Sequence, residues 1–596
     1  MKKYIYSLAI LMSAMTLNSC IGDLDTMPLN ETDKTAEQVY VTLGDFEKGL
    51  AYIYGSFSLV SQSDPGSADI NVGDAGASEL VRQYMVLNEM SVGSLKCVWG
   101  DTYVADLQNN SWTTAPNDAL IAVYTRCMMI VTRSNEFLLQ SDKKIDMEGI
   151  KELRAEARFL RSLGYYILLD LFGNPPFALP ENIGGALPTQ IGREGLFNWI
   201  ESELKAIISG EDGEALPNKG SVAYPRADKG AAQAVLARMY LNAEVYTGTA
   251  RWADAKTAAE AVIAMGYKLC PNYEELFMQD NTENLNARNE FIFAIAYDRD
   301  KTQSYGGTTA LINASLGEDA NNGIAAALGY PAGTKISRDQ WNGYHVPNEY
   351  VANFDLVGVD WEATSGFGYN REKSDRRAFF YNIGGVEAYD KANVNSGWRC
   401  WKFNSRASDG TLYSTDNYSI FSSADFPMFR LAEMYLIYAE ALLKSKNDLP
   451  GAIEQVNKVR ARVGLGDLAV CNPGKNLTTD ADALLEEILR ERACELGLED
   501  VRLFDMTRYK REDLFRKQLH GLKIYRNDGG GNTPWSGSTG NSSIYPKPTK
   551  FTHEAFPLVN PSRAWWSNFS PKWYLSAFPP SEVNKKYGLT QNPGWN

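Results

Sequence analysis

Residues 151–172 read KELRAEARFLRSLGYYILLDLF, and this stretch decides the fold class because its apolar positions recur with the period of an α-helix. The apolar stripe consists of Leu153, Ala157, Leu160, Gly164, Ile167, Leu168 and Leu171. Gly173, Pro175 and Pro176 follow, and proline cannot continue a helix. The stretch therefore predicts a long helix that buries one face and ends near residue 172.

Two pairs of alanine-rich segments extend the helical pattern along the chain. The first pair covers 229–243 and 254–265, and the second covers 431–443 and 451–463. Their Ala and Tyr spacing resembles a degraded tetratricopeptide repeat, in which helical hairpins stack on their neighbours. Because the pairs lie far apart in the sequence, they do not predict an uninterrupted solenoid. A further helix is predicted at 481–496, ahead of a glycine.

The remaining segments lack a sustained period. Residues 279–425 are rich in Gly, Asn, Asp and aromatic residues, which predicts a large loop-rich insertion. Residues 516–596 are predicted to form an irregular C-terminal cover, with Trp565, Trp566 and Trp573 laid over the helices. We therefore predict an all-α dominated fold of tetratricopeptide-like hairpins. The predicted parts of one compact body, 36–596, are an N-terminal helical region (36–278), the insertion (279–425), C-terminal hairpins (426–515) and the cover (516–596).

The N-terminus has the pattern of an export signal. Two lysines precede an apolar run from Tyr4 to Leu17, which predicts a signal peptide over residues 1–19. The sequence Leu17-Asn18-Ser19-Cys20 resembles a bacterial lipobox, so we expect lipid on Cys20 and a lipidated tether over 20–35. The alternative is an ordinary secreted protein whose signal ends near a cysteine. No later segment is long and apolar enough to predict a membrane span.

Charge and composition restrict the partners. The chain has 596 residues, with 73 acidic and 59 basic side chains and a net charge of −14, which opposes binding to nucleic acid and to anionic lipid. A neutral ligand fits this charge better. Aromatic residues make up 12% of the chain, which favours flat binding surfaces as well as a core. The six cysteines after Cys20 lack the spacing of a disulfide scaffold or zinc site, so we expect buried free thiols.

The sequence argues against an enzyme. Its three histidines, at positions 345, 520 and 553, are far apart and none lies in a metal-binding helix motif. The nucleophile elbow, the P-loop and the dinucleotide fingerprint are also absent from the sequence. A glycosidase needs only two suitably placed carboxylates, so this is the surviving catalytic hypothesis. We predict no catalytic residues and no required cofactor.

Long motifs then point to a known family. They include LRAEARFLRSLGYYILLDLFGNPPF (153–177), FPMFRLAEMYLIYAEALL (426–443) and RERACELGLEDVRLFDMTRY (490–509). These motifs resemble the SusD/RagB family of outer-membrane nutrient-uptake lipoproteins, and within it the starch-binding member. The resemblance implies a tetratricopeptide-like scaffold anchored by lipid to the outer membrane and facing the cell exterior. It also implies a partner, a SusC-like TonB-dependent barrel to which the lipoprotein delivers captured glycan.

The same resemblance suggests where glycan binds. A sugar ring presents a face of C–H bonds edged by hydroxyls, so it needs an aromatic platform with polar neighbours. In the starch-binding relative the platform is an arc of aromatic residues, with an Arg and an Asn on the sugar hydroxyls. Arg82 matches that Arg, and Trp99 matches a Trp just before the arc, whereas Asp101 replaces an arc Trp. Val104 replaces the Asn. The predicted ligand-binding residues are Arg82, Trp99, Asp101, Tyr103 and Tyr305.

Two further predictions concern scaffold and metal. Trp341, Trp398 and Trp401 lie in stretches that recur as scaffold elements in the family, so they are predicted to be structural. Asp280 and Asp425 fall where the starch-binding relative holds calcium, which makes a structural calcium site an expectation from resemblance. Ser423 replaces a further carboxylate there, and fewer charged oxygens bind calcium more weakly.

Three hypotheses of function remain open at this stage. The first is a surface lipoprotein that captures a neutral oligosaccharide or polysaccharide, an α-glucan being one candidate, and delivers it to the barrel. The second is a surface glycoside hydrolase. The third is a protein-recognition scaffold that binds no glycan.

Overall fold

The computed structural model describes residues 35–109, 116–360, 363, 365–383, 397–413, 420–509, 572, 575–583 and 589–595. The predicted signal peptide, most of the tether and its Cys20 lie outside these residues, as do Trp565, Trp566 and Trp573. Within the described chain, no helix is long and apolar enough to cross a bilayer.

Helices dominate the described chain, which confirms the predicted fold class. They are α1 (Ala36–Val39), α2 (Leu43–Gly55), α3 (Leu80–Glu89), α4 (Thr102–Asn109), α5 (Asp118–Asp142), α6 (Ile150–Leu171), α7 (Arg193–Ser209), α8 (Lys229–Leu241), α9 (Ala243–Thr247), α10 (Trp252–Ala264), α11 (Leu285–Glu290), α12 (Gly307–Ser315), α13 (Glu318–Ala327), α14 (Asn348–Val351), α15 (Leu431–Lys446), α16 (Leu449–Arg462), α17 (Leu468–Cys471), α18 (Ala481–Leu496) and α19 (Arg502–Tyr509).

Helix α6 is the helix predicted from the opening motif, shifted by one residue at each end. It packs between α5 and α7. Gly164 in its middle permits the close approach to α5, because a Cβ there would lie 3.2 Å from Cγ2 of Ile130. The helix contains mostly buried side chains, so its face is wider than the predicted stripe.

The long helices form one stack in which each packs on the next, in the order α5, α6, α7, α8, α10, α15, α16. The two alanine-rich pairs are therefore neighbours in space, since α10 packs directly on α15. Sequence separation had argued against an uninterrupted solenoid, but the chain leaves the stack after α10 and returns to it at α15. Small alanine side chains allow this close helix packing.

Between α10 and α15 the chain forms short helices, loops and most of the strands. The strands are β1 (Lys96–Cys97), β2 (Phe291–Ile295), β3 (Tyr344–His345), β4 (Ser365–Gly366), β5 (Phe380–Ile383), β6 (Gly397–Cys400) and β7 (Phe426–Arg430). They pair antiparallel as β1 with β3, β2 with β7, and β4, β5 and β6 in that order. Helices α12 and α13 were not predicted, because the Gly- and Asn-rich sequence shows no helical period there.

The described C-terminal residues are irregular and lie against the end of α6. The ring of Phe578 stacks on Phe172, with centroids 5.7 Å apart, and the side-chain amide of Asn592 donates to the Phe172 carbonyl at 2.8 Å. Trp595 is 2% exposed and donates its indole N–H to the Leu575 carbonyl at 2.7 Å. These residues cover the helix end at which the proline-containing turn begins.

A buried cluster of charges lies on α18. Glu491 and Glu495, at helical spacing with arginine neighbours, would be expected to form surface ion pairs, but both are fully buried. Arg377 and Arg460 contact Glu491, and Arg377 and Arg430 contact Glu495. The partners come from other segments, so spacing on one helix cannot identify them. Of the cysteines within the described chain, all except Cys471 are buried, and none forms a disulfide bond.

Candidate functional site: a row of aromatic rings

A short β-ladder brings the first ring to the insertion. Strand β1 pairs with β3, with Cys97 opposite Tyr344, and the Val98 N–H donates to the Gly343 carbonyl at 2.9 Å. Trp99 follows directly and donates its indole N–H to the Trp341 carbonyl at 3.3 Å. Gly343 lies against the indole, because a Cβ at that position would be 2.3 Å from the Trp99 ring. The ladder therefore fixes both the position and the tilt of Trp99.

Helix α12 brings the other rings together. Tyr305 lies just before the helix begins at Gly307. The Trp341 N–H donates to the Asn313 carbonyl on α12 at 2.8 Å. Next to Phe421, the Ser422 N–H donates to the Thr309 hydroxyl at 3.0 Å, also on α12. Three loops that are distant in the sequence thus meet on one short helix.

The result is a continuous row of rings. Ring centroids lie 5.1 Å apart between Phe421 and Tyr305, and 6.2 Å apart between Tyr305 and Trp341. The row continues from Trp341 to Trp99 at 6.4 Å and from Trp99 to Tyr344 at 5.4 Å. Neighbouring planes are tilted by 41° to 59°, so the rings do not form a flat sheet. Tyr344 is buried, whereas the other four rings are partly exposed.

Arg82 lies beside this row on α3. Its guanidinium carbon is 5.4 Å from the centre of the Trp99 ring, a cation–π distance. Its Nη1 donates to Asp74 Oδ2 at 2.9 Å and to the Tyr305 carbonyl at 3.5 Å. The Arg82 side chain is only 5% exposed, whereas the Asp74 side chain is 53% exposed. The structure therefore brings together Arg82, Trp99 and Tyr305, and it adds Asp74 as an accessible polar group.

Asp101 and Tyr103 line a neighbouring cavity. This cavity, of about 600 Å³, is bounded by residues 100–103 together with Pro116 and Asp118. Asp101 is exposed at its rim, whereas Tyr103 is 5% exposed, and burial raises the pKa of its phenol. Val104 is buried and presents no polar group to a ligand. The site thus has an aromatic part and an acidic, polar part that meet after Trp99.

The proposed metal residues have other partners. Asp280 accepts hydrogen bonds from the N–H and the hydroxyl of Ser408. Asp425 is fully buried and accepts from the Tyr224 hydroxyl at 2.7 Å and the Tyr297 N–H at 2.8 Å. Burial raises the pKa of Asp425 to about 6. In the part of the chain that is described, no group of three or more acidic, His or Cys side chains could hold a metal ion. The calcium site stays a prediction from the resemblance.

The three tryptophans assigned to the scaffold separate into two kinds. Trp398 and Trp401 are fully buried. Trp341 is partly exposed in the middle of the row, and its indole N–H donates to Asp339 Oδ2 at 2.7 Å. Trp341 and Phe421 were therefore missed as candidate site residues. For Trp341, the only local indication of an exposed position is the polar residue Asp339, two residues before it.

The chain is similar to known proteins along most of its length. Residues 358–595 match the model described as the SusD family, and residues 70–241 match one described as "Starch-binding associating with outer membrane". The starch-binding protein SusD of Bacteroides thetaiotaomicron is 30% identical over 531 residues, covering 84% of this chain and 89% of that protein. A SusD-like protein of Bacteroides ovatus is 23% identical over 443 residues, 70% of each chain.

Solved structures show the same fold. A crystal structure of a SusD-like protein from Bacteroides fragilis superposes with a TM-score of 0.64 at 19% identity, covering 96% of this chain and all of that one. A laminarin-binding SusD-like protein superposes with a TM-score of 0.59 at 18% identity, covering 93% of this chain and all of that one. The sequence identity and coverage of the SusD relative, together with the family models, show that this chain belongs to the SusD family.

Proposed function

We propose that this protein is a cell-surface lipoprotein that binds a neutral glycan on its aromatic row and delivers it to a SusC-like TonB-dependent barrel. The observation that carries the proposal is the row itself, which places Phe421, Tyr305, Trp341 and Trp99 in sequence on one partly exposed surface. Soluble domains bury most large aromatic rings, so a contiguous row with polar neighbours favours ligand contact.

The chemistry of the row suits sugar rings. Ring faces pack against the C–H face of a sugar, and carboxylates at the edge of the rings accept hydrogen bonds from the sugar hydroxyls. Asp74, Asp101 and Asp339 supply such acceptors next to the rings. A net charge of −14 disfavours an anionic polysaccharide, so the ligand is neutral.

The tilt of the rings restricts which glycan shapes can bind. Because neighbouring planes among the four accessible rings differ by 44° to 59°, a flat ribbon-like glycan contacts few of these rings at once, whereas a chain that turns along its length can contact all four. A relative at 30% identity is named as starch-binding and a structural neighbour as laminarin-binding. We therefore favour a neutral glucan, with an α-glucan among the first to test.

The family and the N-terminal sequence support the proposed location and partner. The lipobox-like residues 17–20 would anchor the chain through Cys20, and residues 21–35 would let the body move over a barrel. A family description that includes association with the outer membrane supports this location. The proposal assigns no catalytic step to the chain, since the relatives carry names of binding proteins.

The test is calorimetric titration of soluble protein beginning at Gly22 with starch, laminarin and cellulose oligosaccharides. Tyr305→Ala combined with Trp341→Ala is expected to weaken binding at least about 100-fold, because central aromatic contacts carry much of a binding energy. Tyr52→Ala combined with Trp252→Ala is the matched control, since these rings are also accessible but lie outside the row. Unchanged affinity in the row variant contradicts the assigned site.

The alternatives predict different outcomes. Release of reducing ends from any of these glycans would favour a glycoside hydrolase. Absence of binding across the panel, combined with co-purification of a barrel, would favour a protein-recognition scaffold.

A further inference from the structure

The rings of the site come from distant segments, so something must hold those segments in register. Glu79 does this at the start of α12. Its Oε2 accepts from the Arg82 N–H at 2.7 Å and from the Gly307 N–H at 2.8 Å. Its Oε1 accepts from the Tyr297 hydroxyl at 2.5 Å. One fully buried carboxylate therefore joins the helix that carries Arg82 to the loop that carries Tyr305.

The close packing around Glu79 depends on glycine residues, because a side chain at their positions would clash. A Cβ at Gly306 would lie 2.3 Å from the Glu79 Cβ, and a Cβ at Gly76 would lie 2.6 Å from both Arg82 Nη1 and the Tyr305 carbonyl oxygen. Gly307 has a φ of +46°, which other residues adopt only with strain. The two segments are in the closest contact that their backbones allow.

Asn313 plays the corresponding part in the last turns of α12. Its Oδ1 accepts from the Asp339 N–H at 3.0 Å and from the Ser337 hydroxyl at 2.8 Å, just before Trp341. Its Nδ2 donates to the Ile420 carbonyl at 3.1 Å, just before Phe421. Asn313 is 1% exposed and uses both ends of its amide.

We propose that Glu79 and Asn313 are positioning residues of the aromatic row: Glu79 sets Arg82 and Tyr305, and Asn313 sets Trp341 and Phe421. Both are buried, so they act on the ligand through the rings. Rings that are already held in place lose less entropy when the ligand binds. Glu79 and Asn313 therefore raise affinity by preorganising the rings. The effect on affinity rests on the proposed function, whereas the effect on local order does not.

The first test measures glycan affinity and melting temperature for Glu79→Ala and Asn313→Ala. Each is expected to weaken binding about tenfold while the protein stays folded at the assay temperature. Glu156→Ala and Asn135→Ala are matched controls, because they remove a buried carboxylate and a buried amide outside the site. Equal losses of affinity in the controls overturn the proposal. Glu79→Gln and Asn313→Asp keep part of the hydrogen bonding, so they are expected to lose less affinity than the alanine variants. They replace the alanine variants in this test if those do not fold.

The second test is a pair of double-mutant cycles, since coupling separates positioning from general damage. In a Tyr305→Ala background Glu79→Ala should weaken binding clearly less than tenfold, the remainder acting through Arg82, while in a Trp341→Ala background it should keep its full tenfold effect. Asn313→Ala should show the reverse pattern. Additive losses in all four combinations overturn the assignment.

The third test needs no ligand. Amide hydrogen exchange of peptides covering 79–84 and 304–310 should accelerate at least about tenfold in Glu79→Ala, because the Arg82 and Gly307 amides lose their acceptor. If no glycan binds the native protein, the proposed function fails while this measurement still decides whether Glu79 holds the two segments. Unchanged exchange overturns the inference even if glycan binds.

Discussion

The charged cluster on α18 and the aromatic row are both assembled from distant segments, but the cluster is buried whereas the rings of the row are partly exposed to solvent. Around Glu495, the guanidinium groups of Arg377, Arg430 and Arg462 surround a fully buried carboxylate. In the row, backbone hydrogen bonds hold the loops while the faces of rings such as Tyr305 stay partly exposed. We expect substitutions in the charged cluster to change stability and, on the proposed function, substitutions of the accessible rings to change glycan binding.

The largest expected effect is in the charged cluster. Glu495→Ala should lower the free energy of unfolding by about 3 kcal/mol, because it removes the carboxylate that three buried guanidinium groups share and leaves their charge only partly compensated by Glu290, Glu491 and Glu499. Denaturant unfolding measures this, and the affinity of the remaining folded protein for glycan should not change. Glu454→Ala, which removes an exposed partner of Lys458, should change stability by less than about 0.5 kcal/mol. A loss below 1 kcal/mol in Glu495→Ala would contradict this role.

Substitution of Trp99 should lower both the stability of the protein and its affinity for glycan. Its indole packs on Gly343 and Tyr344 and donates a hydrogen bond, so Trp99→Ala should lower the free energy of unfolding by about 2 to 3 kcal/mol. It should also weaken glycan binding about tenfold. Tyr305→Ala should lower affinity as much with a smaller change in melting temperature. If the two variants lose equal stability, the distinction between packed and accessible rings in the row is wrong.

Acid should weaken the cluster through Glu495. Burial alone would raise the pKa of its carboxyl, but Arg462, Arg430 and Arg377 outweigh burial and hold the pKa well below its ordinary value. A lowered carboxyl pKa contributes stability above the unfolded-state pKa, and this is lost as the pH falls towards the folded-state pKa. Between pH 5 and pH 3 we expect this group to contribute a loss of about 2 kcal/mol. Unfolding curves of Glu495→Gln should therefore depend less steeply on pH in this range, and parallel curves would contradict the assignment.

The smallest expected effect concerns the exposed rim of the cavity. Asp101→Trp adds a ring at the position where the family resemblance implies an arc tryptophan, so it should strengthen binding of α-glucan oligosaccharides a few-fold. Because Asp101 is exposed, stability should change by less than about 0.5 kcal/mol. Asp101→Ala distinguishes a gained ring from a lost charge. Stronger binding in both variants would show that the charge, and not the missing ring, limits affinity.

The sequence predicted those parts of the fold that depend on local pattern. The stripe within 151–172 identified α6 to within one residue, since an amphipathic period is a property of the segment itself. The contact between α10 and α15 was not predictable, because nothing in either helix specifies a neighbour on the far side of the insertion. Similarly, Glu491 and Glu495 show regular spacing, but Arg377 and Arg430 come from elsewhere in the chain.

The candidate site divides in the same way. Arg82, Trp99 and Tyr305 were identified through family motifs, and the structure places them next to one another. Their role in binding stays a prediction. Trp341 and Phe421 were missed because their place in the row depends on loops that dock on α12, which has no helical signature of its own.

The contact between α10 and α15 also has a consequence for how the chain folds. Helix α10 follows its neighbour α8 after only the short helix α9, but α15 begins only at Leu431, after the whole insertion. Closing so long a loop is entropically unfavourable, and contacts distant in sequence slow folding. We therefore expect the first hairpins to form early and the stack to close late. Refolding should show a slow phase that reports on α15 and not on α6.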